Sequence, residues 1–347
     1  MKFSIKQKRK VLSNSKIIIL LAVAVALAAF VALGVGRFEL SYAQILAHFK
    51  AAISGEQPSE PQSYAVLMLI RLPRVLFAVL VGAALASSGA VYQGLFRNPL
   101  VSPDILGVSS GAAVGASIAI ILNFNYIGVQ LSAFGFGLAA VFAVVFISGV
   151  IAKGRINLLV MVLTGIVISS LFGAVSSLMK FLADSEDKLP EITFWLMGSL
   201  ARTGGYQNLA VLLAVVAISL VPLFMLRYKL NALSFGEEEA RAMGLNVKIY
   251  NIIIIAASTL LTATCVSFCG IVGWIGLVIP HIVRFAVGAN FTTLLPASML
   301  SGALFLLIVD TAARSIMASE IPLGVITSLI GAPVFVYLLY KSKRGFS

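Results

Sequence analysis

The chain has 347 residues, 60% of them hydrophobic and only 11% charged, with a formal net charge of +12. Apolar runs recur from end to end and leave no loop long enough for a soluble domain of ordinary size. The basic excess is spread over the chain ends and alternate loops, which excludes a concentrated nucleic-acid surface; anionic membrane headgroups are partner enough for it.

A membrane crossing takes about 20 apolar residues at about 1.5 Å each. In chain order the sequence predicts ten such segments: 17–36, 65–96, 103–123, 129–152, 157–182, 206–227, 249–272, 274–288, 294–316 and 322–340. The first follows a basic stretch (Lys2, Lys6, Lys8, Arg9, Lys10, Lys16). It is longer than the roughly 7–15 residues of a signal-peptide core, so it is expected to stay as an uncleaved span. The second is long for one crossing and must tilt, bend or protrude. It carries Arg71-Leu-Pro-Arg74, two guanidiniums close together in apolar sequence, and runs into Arg97-Asn-Pro-Leu100. A charge in hydrocarbon costs about 2.5–3.5 kcal/mol on insertion scales, so such residues mark a pathway or a protein interior better than a lipid-facing wall.

Ser102-Pro103-Asp104 reads as a helix start: a capping hydroxyl, proline at the first position and an acid at the positive dipole end. Asn98 to Ser102 is therefore a loop between two helices. The seventh span holds the only two cysteines, Cys265 and Cys269, which at that spacing are small core residues rather than half of a metal site. The eighth is short and contains Ile279-Pro280, so a break is expected there.

An even number of spans puts both ends on one side. The inner loops then carry Lys153, Arg155, Arg227, Lys229, Arg241 and Lys248, and the ends add Lys341, Lys343 and Arg344. The outer loops carry Glu56, Glu60, Asp184, Glu186, Asp187 and Glu191. That is the positive-inside pattern, with both termini cytoplasmic. Gly89, Val91, Pro99 and Gly107 recur in the same order and spacing as Gly270, Val272, Pro280 and Gly288. Five spans separate the copies, so they run in opposite directions, as in transporters built from inverted repeats with broken helices. The expected fold class is an all-α polytopic membrane bundle of about ten helices with such a repeat, as a single transmembrane domain over 1–347.

Two constellations remain. Residues 230–247 form a short amphipathic element outside the bilayer, with Leu230, Leu233, Phe235, Met243 and Leu245 as apolar anchors and Glu237 four residues before Arg241. Such an element suits a groove on a soluble partner, although a solvated inner loop has the same composition. In the ninth span Asp310 precedes Arg314 by one helical turn. Intramembrane charges generally pair or face a cavity. With Arg71 and Arg74 at a comparable outer level, Arg314 completes a three-guanidinium receptor for carboxylates.

Across nearly its whole length the chain resembles the permease subunits of iron-chelate (ferric siderophore or haem) and vitamin B12 ABC importers, the FecCD-type, type II class. The resemblance is carried by Arg71-Leu-Pro-Arg74, Gln93 to Leu100, Ile105 to Gly111, Trp195 to Ser199, Ser234-Phe-Gly-Glu-Glu-Glu-Ala-Arg241, Gly276 to Arg284, Asp310 with Arg314, and Glu320 to Phe335. It implies two permease subunits, identical or closely paralogous, around a central path. It also implies two ATP-binding cassette ATPase subunits and a periplasmic or lipid-anchored binding protein, in a bacterial inner membrane. By resemblance Arg71, Arg74 and Arg314 receive acidic side chains of the binding protein. Ser234, Phe235, Gly236, Glu237, Glu238, Glu239, Ala240, Arg241, Gly244 and Leu245 match the coupling helices that dock on the ATPase. Asn98, Pro99 and Leu100 match the cytoplasmic gate, with Leu158-Leu159 where the vitamin B12 importer is polar. After Gly288 the chain reads Ala-Asn-Phe, where relatives often carry Asp-His-Arg.

The resemblance leaves the cargo open among ferric siderophore, haem, cobalamin and oxyanion, with an iron chelate as the default, and implies no cofactor or metal. An enzyme is disfavoured: the chain has two histidines and no Gly-Lys dipeptide, hence no P-loop to hydrolyse ATP. The rival reading is an ion-coupled secondary transporter without ATPase subunits, for which Asp310 is the only midplane carboxylate.

Overall fold

The computed structural model describes residues 2–58, 60–153, 157–317 and 319–343. Arg155, Arg344 and the side chains of Lys2, Lys6, Lys8, Arg9, Lys10, Lys341 and Lys343, all expected inner charges, lie outside what is described. In order the helices are α1 (Lys2–Gly34), α2 (Tyr42–Ser54), α3 (Pro61–Ala65), α4 (Leu72–Leu95), α5 (Val108–Ile121), α6 (Tyr126–Ile151), α7 (Leu158–Leu182) and α8 (Lys188–Met197). They continue as α9 (Gly205–Met225), α10 (Arg227–Leu233), α11 (Glu237–Ala242), α12 (Val247–Cys269), α13 (Ile275–Val287), α14 (Phe291–Ala313) and α15 (Leu323–Lys343). Among the described residues there is no strand. Among the described residues, seven helical stretches are long and apolar enough to cross a membrane, and three shorter apolar ones fall at the third, eighth and tenth expected segments.

The second expected span is one helical path of 35 residues, Pro61–Leu95. At about 1.5 Å per residue it outruns the ~30 Å hydrocarbon core. Its irregularity is a π-helical turn, Val66–Arg71, closed by the Leu72 N–H donating to Leu67 O. Pro73 follows, and its missing N–H leaves the turn before it short of one donor; the wider turn absorbs that defect without ending the helix.

The breaks lie elsewhere than expected. The third segment starts as a 3-10 turn, Pro103–Leu106, and turns into α5 at Gly107, whose φ of 83° suits glycine. Pro103 does start that turn, but Ser102 makes no side-chain cap; Asp104 instead accepts from Ser109 Oγ. The eighth segment, expected to be broken at Pro280, is the continuous helix α13 with Pro280 inside it. Proline frees the carbonyl one turn back, that of Gly276. This oxygen packs on α4, where a Cβ on Gly89 would stand 1.8 Å from it. Only a glycine in each helix permits that approach.

Helix α4 is the axis of the packing: it is buried along most of its length and contacts α9, α12, α13 and α14. Gly82 meets Gly302 of α14, where each missing Cβ would fall 2.3 Å from the other's carbonyl oxygen. The pattern long–short–long recurs as α4–α5–α6 and α12–α13–α14. The repeat is thus one of elements. The matched residues do not share roles, since Gly89 lies mid-helix and Gly270 just beyond a helix end.

Candidate functional site

At the expected outer end, Arg71, Arg74 and Arg314 do come together, but none offers a free guanidinium. Their exposures are 4%, 8% and 7%. Arg71 donates to the carbonyls of Leu33 (2.7 Å), Gly34 (3.1 Å) and Phe38. Arg74 lies between two carboxylates. It reaches Asp310 through Nε (3.0 Å) and Nη2 (2.8 Å), and Glu320 through Nη1 (2.8 Å) and Nη2 (2.9 Å). Arg314 donates to Ala32 O and stands 3.8 Å from Asp310.

This geometry engages most donors of the three cations inside the chain, while Arg314 Nε is buried without a hydrogen bond. It also corrects the pairing: the main partner of Asp310 is Arg74, on another helix, and not Arg314 one turn away. The cluster clasps the end of α1 and the 314–322 loop onto α4 and α14. Glu320, whose side chain is 34% exposed, is its only acidic face toward solvent. Burial raises the Glu320 carboxyl, but its hydrogen bond to and the charge of Arg74 outweigh that and hold it below the usual range. Beside it a cavity of ≈ 510 Å³ is walled by Tyr126, Gln130, Glu191, Trp195 and the exposed Arg202.

At the other end, the expected single amphipathic element is two short helices, α10 and α11. Leu230 and Leu233 are buried in the bundle, and Leu245 is half-buried against it. Phe235 (72%) and Met243 (57%) face outward, so the five expected anchors divide between an inner and an outer face. Glu237 and Arg241 pair at 3.2 Å as their spacing predicts. Gly244 closes α11 at φ 77°, with its own N–H on Arg241 O and that of Leu245 on Ala240 O. Asn231 pins α10 to the start of α14: its amide donates to Asn290 Oδ1 (2.9 Å) and accepts from the Phe291 N–H (2.8 Å). The α10–α11 element is therefore fixed to the bundle and presents Phe235, Glu238, Glu239 and Met243 outward.

The loop expected as a gate leaves α4 at Phe96. Asn98 Oδ1 accepts the Leu100 N–H at 2.9 Å, which holds the loop in shape while leaving Leu100 47% exposed. Asn157 caps α7 through the N–H groups of Leu159 and Val160, and Leu159 is 68% exposed. Further along, α7 packs on the 103–107 segment, where a Cβ on Gly165 would stand 2.1 Å from Ile105 O.

The model of the FecCD transport family matches residues 20–341. The chain belongs to that family. It is 42% identical over 335 residues to the molybdate import system permease protein MolB of Haemophilus influenzae, covering 96% of this chain and 98% of that one. It is 38% identical over 288 residues to a probable iron chelatin transport system permease protein of Helicobacter pylori, covering 82% and 85%. The cobalamin import system permease protein BtuC of Halobacterium salinarum is 43% identical over 281 residues, covering 80% and 74%. A solved ABC transporter in an inward-facing conformation superposes with a TM-score of 0.83 at 40% identity, covering 94% of this chain and 99% of that one.

As a FecCD permease the chain is a multi-pass membrane subunit of an ABC importer. The sequence reading missed the part played by Glu320 and the non-spanning helices α2 and α8. A signal for α2 was present: Ser41 and Gln44 form a capping box with both hydrogen bonds made.

Proposed function

We propose that this FecCD permease works as a pair of subunits in a bacterial inner membrane, termini cytoplasmic. Two ATP-binding cassette subunits power it, and a periplasmic or lipid-anchored binding protein feeds it. The supporting observation is the coupling element: two helices fixed to the bundle through Asn231, with an exposed apolar and acidic face, in a chain without a nucleotide motif. The subunit itself performs no chemistry; its partner hydrolyses ATP. Asn98, Pro99 and Leu100, with Leu158 and Leu159, form the cytoplasmic gate. Docking takes place on the rim that the Arg71–Arg74–Arg314 clasp shapes, with exposed Arg37, Arg202 and half-exposed Glu320 as its charged contacts.

The cargo is an iron chelate, supported by the 38% identity to a probable iron chelatin permease over 82% of this chain. A molybdate-like oxyanion is the second reading, favoured by the 42% identity to a molybdate permease along nearly the whole chain. Ion-coupled transport is disfavoured because Asp310 is fully buried and held by Arg74. Proteoliposomes holding this chain and its ATPase should take up cargo only with internal ATP and the loaded binding protein. Uptake driven by an ion gradient without the ATPase would overturn the proposal, and the ligand that co-purifies with the binding protein decides the cargo.

A further inference from the structure

Between the 98–100 loop and α10 lies a cavity of ≈ 630 Å³. Its walls come from the end of α4 and the loop after it (Gln93, Arg97, Asn98), from α10 (Asn231), from the last turn of α13 (Arg284) and from the turn into α14 (Asn290). No aspartate or glutamate lines it. The Arg284 side chain has no hydrogen bond or ion pair among the described residues, and its Nε and Nη2 are buried without a partner. A guanidinium withdrawn from water without a counter-charge is unfavourable, and nothing in this wall supplies one.

Arg97 sharpens the point. The end of α4 is a Schellman turn, with the Arg97 N–H on Gly94 O (3.2 Å) and the Asn98 N–H on Gln93 O (3.1 Å). The residue after the cap in such a turn takes left-handed backbone and is usually glycine. α11 ends in the same way with Gly244, but here the position is Arg97 at φ 49°. An arginine held in a conformation that disfavours side chains, beside a second unpaired arginine, points to a use for its charge. One carboxylate approaches from behind: a Cβ on Gly236 would lie 2.0 Å from Glu239 Oε2 and 3.5 Å from Arg97 Nη1. It forms no ion pair with Arg97 and does not line the cavity. The wall amides are spent on bracing, Asn231 on Asn290 and Phe291, and Asn290 on capping α14.

We infer that this cavity binds a tetrahedral oxyanion, with Arg97 and Arg284 as its cationic ligands. Guanidinium groups match such anions in shape and charge. The same chemistry is offered by a free oxyanion, such as molybdate or phosphate, and by a phospholipid headgroup. The occupant touches the gate loop on one side and the coupling helix on the other, so its presence ties the two together. Only this consequence rests on the functional reading above; binding itself does not.

The test uses the purified full-length chain, titrated calorimetrically with sodium molybdate and with inorganic phosphate. A parallel arm measures unfolding in nanodiscs with and without phosphatidylglycerol. Two variants keep the fold. Arg97→Gly relieves the left-handed backbone, and Asn290→Asp keeps the cap, since aspartate caps as well as asparagine, while placing a negative charge in the wall. Saturable oxyanion binding that weakens at least tenfold in both variants, with Arg97→Gly unfolding no earlier than the parent, is the expected result. If free oxyanions do not bind but phosphatidylglycerol stabilises the parent and not the variants, the oxyanion is a headgroup and the site stands. Equal binding in parent and variants overturns the inference, as does no response to any probe. No response together with weaker ATPase association in both variants likewise overturns it and assigns the cations to a carboxylate of that subunit. Because no arm measures transport, failure here leaves the importer reading untouched.

Discussion

Arg74 shows how much one buried side chain is asked to hold. It satisfies Asp310, which has no solvent exposure, and reaches Glu320 across the 314–322 loop. Removing one partner of a buried pair costs about 3–5 kcal/mol, because the other charge is left without compensation. Arg74→Ala should therefore sharply lower the unfolding temperature in detergent, and Arg74→Ala with Asp310→Ala should be less damaging than the single change. Lysine should rescue poorly, since it lacks the planar fork that serves two carboxylates. A double variant as unstable as the sum of both singles would place the energy in packing instead. The Glu320 contact has its own pH signature. Its carboxyl is held below the usual range, so its contribution is complete above about pH 4.3, the unperturbed value. It is lost as pH falls through the lowered folded value, and Glu320→Gln should remove that acid-limb sensitivity. Little of this was legible in the sequence. Asp310 and Arg314 one turn apart suggested a pair by local spacing, whereas the partner that matters comes from another helix far along the chain. Periodicity reports neighbours on one helix and is silent about contacts set by packing.

Among the elements, the long apolar helices were readable because length and hydropathy alone specify them in a bilayer. The breaks were less so. Proline suggested a break in α13, but a proline-freed carbonyl is tolerated where a facing helix packs closely, and Gly89 provides that closeness. Gly89→Ala should accordingly reduce folded yield and thermal stability more than an alanine at the half-buried Gly149, where nothing lies within 4 Å of an added Cβ. The α10–α11 element was legible in its charges and its closing glycine, but the division of its apolar residues was not. That division depends on which face α14 covers. It changes the choice of test: Leu245 packs on the bundle, so substituting it damages the fold. Phe235→Asp with Glu238→Lys alters only exposed positions and should leave membrane insertion intact while abolishing stable association with the ATPase subunit. Undiminished co-purification of that variant with an active ATPase would remove α10 and α11 from the coupling role.

At the scale of the whole molecule, one subunit buries α4, α12 and α14 and leaves α7 largely uncovered. In α7 only Met161, Thr164, Gly165, Ile168 and Ser176 are buried, the first four at the spacing of one helical stripe. The rest is free for lipid, for a second subunit or for the path between subunits. Leu100 and Leu159 are large apolar side chains exposed next to polar loop ends, Asn98 and Asn157. A gate built from such residues on two subunits should bring each close to its counterpart when closed and part them when open. Cysteine substitution can read this cleanly, because the native thiols, Cys265 and Cys269, are both buried. Leu100→Cys in the assembled transporter should crosslink between subunits in one nucleotide state and lose that crosslink in another, with Leu159→Cys following the same dependence. Crosslinking that ignores nucleotide would identify the 98–100 loop as fixed packing. Crosslinking that responds at Leu100 but not at Leu159 would confine the moving gate to the end of α4, leaving α7 as a static wall.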